Sequence, residues 1–309
     1  MTAQDARANG QRTARSAFVV ALATMVIWGG TPVFTKLAIN EIDPLLVGAL
    51  RTLIAGLVAL PVLLIRNHPI PQDRRSRVTL AYSGFAAFIA FPLLFSFGQQ
   101  STSTTHAALI LATLPVFTSA FGRLVERTRP DPTWVLGIAL AFGGEIALIA
   151  WRAPGEAGGS LAGDAVVLLS SAICATGYVA GARLAQRGYR SLSTTLWGVA
   201  GASVVIAPLA AGLVISGGWP QAGAIAWGSV LVLAVLTSIV GYVAWYWALA
   251  HGGISRIASV QFTQPLFGLA LAALVLSGRP APNTAVAGAV ILAGAWLVQR
   301  TGSATAQAA

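Results

Sequence analysis

Gln261 and Gln264 stand three residues apart inside the apolar run SVQFTQPLFGLALAALVL (259–276), and Pro265 follows at once. An amide in hydrocarbon is costly unless it finds partners, so both side chains are expected to face the protein interior or water. The chemistry they offer is neutral hydrogen bonding, both as donor and as acceptor. Two roles are open to them. They line a cavity that takes up a polar solute, or they brace the kink that Pro265 introduces by withholding a hydrogen bond from the carbonyl of residue 261.

A second interruption is Trp28, Gly29, Gly30, Thr31 and Pro32, near the middle of the first apolar run. Pro32 predicts a kink, and the glycines allow another helix or a ligand to come close. Trp28 is too deep to be an interfacial anchor, which suits it and Thr31 to a cavity wall. Tyr82, Tyr178 and Tyr242 also fall inside apolar runs, as cavity aromatics or as members of interfacial belts. Ionisable residues within the runs are few: Lys36, Arg51, His106, Glu145 and Asp164. Intramembrane charge is expensive and marks function by default. Lys36 and Asp164 lie near enough to run ends to snorkel. Arg51 and Glu145 are deeper, and are read as a structural ion pair or, for Glu145, as the acceptor of a coupling proton.

Catalytic spacing is missing. The three histidines are scattered at 68, 106 and 251, and HExxH, GxSxG and paired-aspartate motifs are absent, which argues against an enzyme and implies no metal or cofactor. Cys174 is the only cysteine, so no intramolecular disulfide forms.

The elements that position these residues follow from composition. The chain is 56% hydrophobic and only 9% charged, which excludes a soluble protein of 309 residues. Stretches of about 20 apolar residues, each long enough to cross a bilayer, recur throughout. Ten spans are predicted, at 17–39, 44–65, 78–97, 105–125, 133–151, 162–184, 192–215, 224–247, 254–277 and 284–300, joined by short turns such as RTRPDP and SGRPAPN. The tails are 1–16 and 302–309. The first run is too long for a signal-peptide core and is expected to be retained.

A net charge of +10 invites a nucleic-acid reading, but a basic excess in a helical membrane protein marks cytoplasmic loops. With the N-terminus inside, the cytoplasmic segments hold Arg7, Arg12, Arg15, Arg66, Arg74, Arg75, Arg77, Arg123, Arg127, Arg129, Arg183, Arg187, Arg190, Arg256 and Arg300. That is 15 of the 19 basic residues, and an odd span count would scramble the pattern. Both termini are therefore expected in the cytoplasm.

Sliding the sequence by 150 residues lays AALILATLPVFTSAFGRLVERTRPDP (107–132) over IASVQFTQPLFGLALAALVLSGRPAP (257–282) without a gap. Thr113, Pro115 and Phe117 fall on Thr263, Pro265 and Phe267, the Arg-Pro pairs coincide, and Gly144 falls on Gly294. The halves are 17–151 and 162–301. Five spans each is an odd number, so the second copy enters the membrane from the opposite side, an arrangement associated with secondary transporters. Leu111 and Leu114 stand where the second copy has Gln261 and Gln264. A structural brace should be needed in both copies, so the difference favours the cavity role.

IWGGTPVFTKLAI, DPLLVGALR (43–51), LPVFTSAFGRLVERTRP (114–130) and YWALAHGGISRIAS (246–259) together resemble the EamA-type carriers of the drug/metabolite transporter superfamily, with closest likeness to YddG-like amino-acid exporters. The resemblance spans nearly the whole chain. It implies an all-α integral membrane protein, ten transmembrane helices in two inverted-topology five-helix repeats around a central cavity open to one side at a time. It implies export of small metabolites, most simply neutral or aromatic amino acids, or else other amphipathic metabolites or drugs. Its partners would be the solute and the lipid bilayer of a bacterial inner membrane, with no nucleic acid, and a monomer suffices. The family often carries Gly-Glu after the fourth and ninth spans; here Glu126 lacks the glycine and Leu276 fills the second position, so Glu126 is given no transport role.

Overall fold

The computed structural model describes residues 3–66, 68–127, 129, 131–150, 160–252, 257, 259–276 and 282–305. At 3–14, 126, 145, 148–150, 250, 252, 259, 262, 276, 284, 295 and 298–305 only the backbone is described. Among the described residues the chain is helical, with no strand.

The first apolar run breaks in two: α1 (Ala3–Gly29) ends where α2 (Thr31–Ile39) begins. Pro32 is tolerated as the second residue of a new helix, where its missing N–H is not required. Then α3 (Pro44–Ile65) starts on Asp43, whose carboxylate accepts from the Leu46 N–H at 3.0 Å. Next come α4 (Arg74–Phe85), a π segment (Ala86–Ala90) and α5 (Phe91–Gln99) as one continuous rod. α6 (Thr104–Ile110) tightens into a 3₁₀ turn (Leu111–Thr113) before α7 (Leu114–Glu126), and α8 (Pro132–Ala150) closes the first half.

The second half holds α9 (Leu161–Gln186) and α10 (Ser191–Gly217). α11 (Ala224–Leu231), a π segment (Val232–Gly241) and α12 (Tyr242–Gly252) form another rod. A 3₁₀ turn (Ser259–Thr263) leads into α13 (Gln264–Leu276), and α14 (Pro282–Thr305) follows. Seven of the helical runs are long and apolar enough to cross a membrane: 15–39, 44–65, 74–99, 104–125, 161–186, 191–217 and 224–249. Three shorter apolar helices, 132–144, 264–275 and 285–294, lie where the fifth, ninth and tenth spans are expected.

The 150-residue period reappears in the backbone. The rods 74–99 and 224–249 coincide at both ends under that shift, and the first π segment lands inside the second. The 3₁₀ turns end on Thr113 and Thr263, and each hydroxyl donates to the carbonyl three residues back, at 2.6 Å to Ile110 and 2.7 Å to Val260. Pro115 and Pro265 are then the second residues of α7 and α13, again where no N–H is needed.

α8 and α14 cross at a pair of glycines. A Cβ on Gly144 would lie 2.9 Å from the Ile291 side chain and 3.1 Å from the Ala287 oxygen, while Gly294 faces the backbone of Gly137 and Ala141 in the same way. Each contact is the other shifted by 150 residues. Position 144 is level with 287–291 and position 294 with 137–141, so residue order reverses across the crossing and these two helices run antiparallel.

Candidate functional site

Trp28 of α1 and Tyr178 of α9 are counterparts under the repeat, and their rings stack with centroids 5.5 Å apart and planes 2° from parallel. Tyr242 meets Trp28 edge-on at 5.1 Å, and Trp245 tilts against it at 5.6 Å. Phe88 lies 4.7 Å and Tyr246 5.9 Å from Tyr242. All six rings are buried. Three of the aromatics singled out by sequence, Trp28, Tyr178 and Tyr242, thus come together, with Trp245 and Tyr246 as unforeseen neighbours.

Tyr82 does not join them. It is 46% exposed on α4, and its hydroxyl stands 2.7 Å from Thr176 Oγ1 of α9.

The two π segments supply the polar framework. Widened turns commonly occur at functional positions, where carbonyls are freed for other donors. Trp28 Nε1 donates to the Thr237 oxygen at 3.0 Å. The counterpart of that oxygen, on Ala87, accepts from the Tyr242 hydroxyl at 3.5 Å, and Thr52 Oγ1 donates to Phe88 O at 2.5 Å.

Arg51 of α3 reaches this framework. It is buried, its Nε donates to Ser238 Oγ at 2.8 Å, and its guanidinium carbon lies 5.6 Å from the centroid of Phe91. Tyr242, Cys174 and Tyr178 are close enough to interact with its charge. Among the described residues no carboxylate pairs with it. Glu145, proposed from sequence as a partner, has its side chain outside the described residues; its helix α8 packs on α14, whereas α3 packs on α10.

Gln264 and Gln261 differ sharply in surroundings, although both are buried. Pro32 has no N–H to give the Trp28 carbonyl, and Gln264 Nε2 stands 3.5 Å from that oxygen. Its own Oε1 has no partner, and neither does either polar atom of the Gln261 amide. Trp245 Nε1 and Thr35 Oγ1 are likewise buried and unpartnered. The expectation that a brace must occur in both copies is corrected here. The counterpart of Pro32 is Ala182 in the second half, which keeps its N–H, so the Tyr178 carbonyl is not orphaned and Leu114 has none to serve.

The remaining residues of the break are packed tightly. A Cβ on Gly29 would fall 2.8 Å from the Phe267 Cβ and 2.9 Å from the Gly268 nitrogen, so α1 lies directly against α13. Gly30 faces the ring of Phe34, Thr31 is buried, and the Pro32 oxygen accepts from Gln99 Nε2 at 2.5 Å. Asp164 does not snorkel as its place near a span end suggested. It is fully buried, bonded by Thr102 Oγ1 and 3.4 Å from His106 Nδ1. Among the described residues no group of three or more metal-ligating side chains occurs.

The arrangement is a closed, aromatic core with one buried cation and several unanswered polar atoms. It offers flat apolar faces, neutral hydrogen bonds and a site for one negative group. The sequence pattern of the EamA-like transporter family matches residues 15–150 and again 161–300. Over 256 residues the chain is 33% identical to the uncharacterized transporter YdeK of Bacillus subtilis, covering 82% of this chain and 86% of that one. It is 29% identical to a probable amino-acid metabolite efflux pump of Salmonella typhimurium, covering 88% and 91%. A solved crystal structure shares the fold with a TM-score of 0.63 at 20% identity, covering 92% of this chain and 97% of the other.

Proposed function

The chain belongs to the EamA-like transporter family, and we propose that it exports small metabolites, most simply neutral or aromatic amino acids, by alternating access through the aromatic core. The observation that carries this reading is Arg51, buried beside the Trp28–Tyr178 stack with no carboxylate partner among the described residues. A buried cation without a counter-charge is costly, and a substrate carboxylate would answer it. Gln261, Trp245 and the free oxygen of Gln264 would serve the solute's other polar groups, and the stacked rings its apolar part. Efflux as the direction rests on the resemblance to exporters and on the name given to the Salmonella relative.

The proposed architecture is ten spans in two inverted halves, with both termini in the cytoplasm of a bacterial cell. The reversed order at the α8–α14 crossing supports the inversion, and the arginine-rich turns support the orientation. A site on the axis between the halves suits alternation, since exchanging their conformations opens it to the other side. The purified protein in proteoliposomes should show saturable counterflow of labelled aromatic and neutral amino acids. Counterflow without a proton gradient would mark a uniporter, and absence of flux for every amino acid would overturn the substrate class.

A further inference from the structure

The histidines that lie far apart in sequence are not all apart in space. His68 and His251 line one cavity of about 610 Å³ at the end of the bundle where α3, α9, α10 and α12 meet. Arg66 and Arg190 line it too, and among the described residues no acidic one does. Both arginines are exposed, and no carboxylate among the described residues pairs with them.

Its polar side is a set of donors. The 27-residue helix α10 opens into the cavity, with Arg190 at its N-cap position and no side-chain cap bond, unlike α3, α4, α6 and α9. Its positive end is thus presented together with the Arg190 charge. His68 Nδ1 lies 3.2 Å from Ser193 Oγ, while its Nε2 is buried and has no partner. When the serine donates, Nε2 carries the hydrogen. Tyr189 adds no negative charge: its hydroxyl donates to the Pro69 oxygen at 2.6 Å, and burial pushes its phenol up to about 12. Asp73, in the adjoining cavity, is occupied in capping α4 through the Ser76 N–H at 2.8 Å.

The opposite wall is apolar and leads outward. Val243 and Trp247 of α12 and Leu192 of α10 form it, with Trp247 stacked on His251 at 4.5 Å. Along the same rod Val240 and Leu236 continue as exposed apolar residues. Cationic donors therefore meet an apolar stripe at one end of the bundle.

We propose that this cavity binds the headgroup phosphate of an anionic phospholipid, with an acyl chain lying along the Leu236–Val240–Val243 stripe. A basic pocket between helices at the membrane boundary, continuous with outer apolar surface, matches both ends of such a molecule. A free phosphate would use the donors and leave the stripe idle.

The test is native mass spectrometry of the full chain in detergent, titrated with dioleoyl phosphatidylglycerol or dioleoyl phosphatidylcholine. The wild type should bind one phosphatidylglycerol in clear preference to phosphatidylcholine, a comparison that needs no variant. Arg66→Gln and Arg190→Gln should each weaken that binding about fivefold, whereas Arg74→Gln, outside the cavity lining, should leave it unchanged. Equal binding of the two lipids would overturn the proposal, as would full phosphatidylglycerol affinity in both cavity variants. Displacement of the lipid by equimolar inorganic phosphate would also overturn it, by making this a site for the free anion.

Discussion

Gln264 Nε2 stands 3.5 Å from the Trp28 carbonyl oxygen, the acceptor that Pro32 leaves without a helical donor. One helix's proline is thus answered by another helix's amide, and the two interruptions noticed in the sequence are halves of a single contact. Gln264→Leu should lower stability by about 0.6 kcal/mol and at most ~1.7 kcal/mol, the range for such bonds between membrane helices. Gln261→Leu removes an amide with no partner and should leave the melting temperature unchanged or raised while depressing transport. Thermal melts and counterflow on both variants separate brace from binding site; a reversed pattern would exchange the two roles.

Arg51 is expected to select for a carboxylate. Arg51→Gln should reduce counterflow of an amino acid at least about tenfold, the loss of one charge-assisted hydrogen bond, and should affect the corresponding amino-acid amide far less. Arg51→Lys should recover part of the activity, because it restores the charge without the planar fork. Equal losses for acid and amide would assign Arg51 to structure alone.

Gly29→Ala should be poorly tolerated, since the new methyl would press on Phe267 Cβ and the Gly268 backbone. Overpacking of this kind costs about 1–3 kcal/mol. Gly122→Ala, with nothing within 4 Å of the new atom, is the matched control and should melt like the wild type.

The direction of α14 relative to α8 can be measured. Spin labels at Val135→Cys and Val286→Cys, both exposed, in a Cys174→Ser background should lie at different levels of the bundle. The reversed order at the crossing places them roughly 20 Å apart along the axis, at 1.5 Å per residue. Parallel helices would bring the labels level, and a short electron–electron distance would therefore exclude the reversed arrangement.

Much of the backbone was legible because proline, glycine and threonine act locally. Pro115, Pro265 and their threonines mark the same 3₁₀-to-α passage in both halves, and the period of 150 carries over to helix ends. The side-chain environment was less legible. The π segment Val232–Gly241 lies immediately before Tyr242, so counting by 3.6 residues from earlier positions cannot tell which way Trp245 and Tyr246 point. Tyr82, named with Tyr178 and Tyr242 as a candidate, lies apart from their cluster, a separation that no local pattern announces. His68 and His251 come to one cavity only because α3 and α12 both pack on α10, which no local pattern announces.

Arg51 has an electrical consequence. A membrane potential acts on each elementary charge with about 2.3 kcal/mol per 100 mV. A zwitterion entering the core changes its total charge by nothing, so voltage weighs equally on the loaded and the empty carrier and cancels over a cycle of simple exchange. A solute with a carboxylate and no amine would neutralise the loaded core and leave the empty one positive. The cell's voltage would then fall on the empty return alone, and the solute's own charge would decide whether its passage is driven or merely permitted.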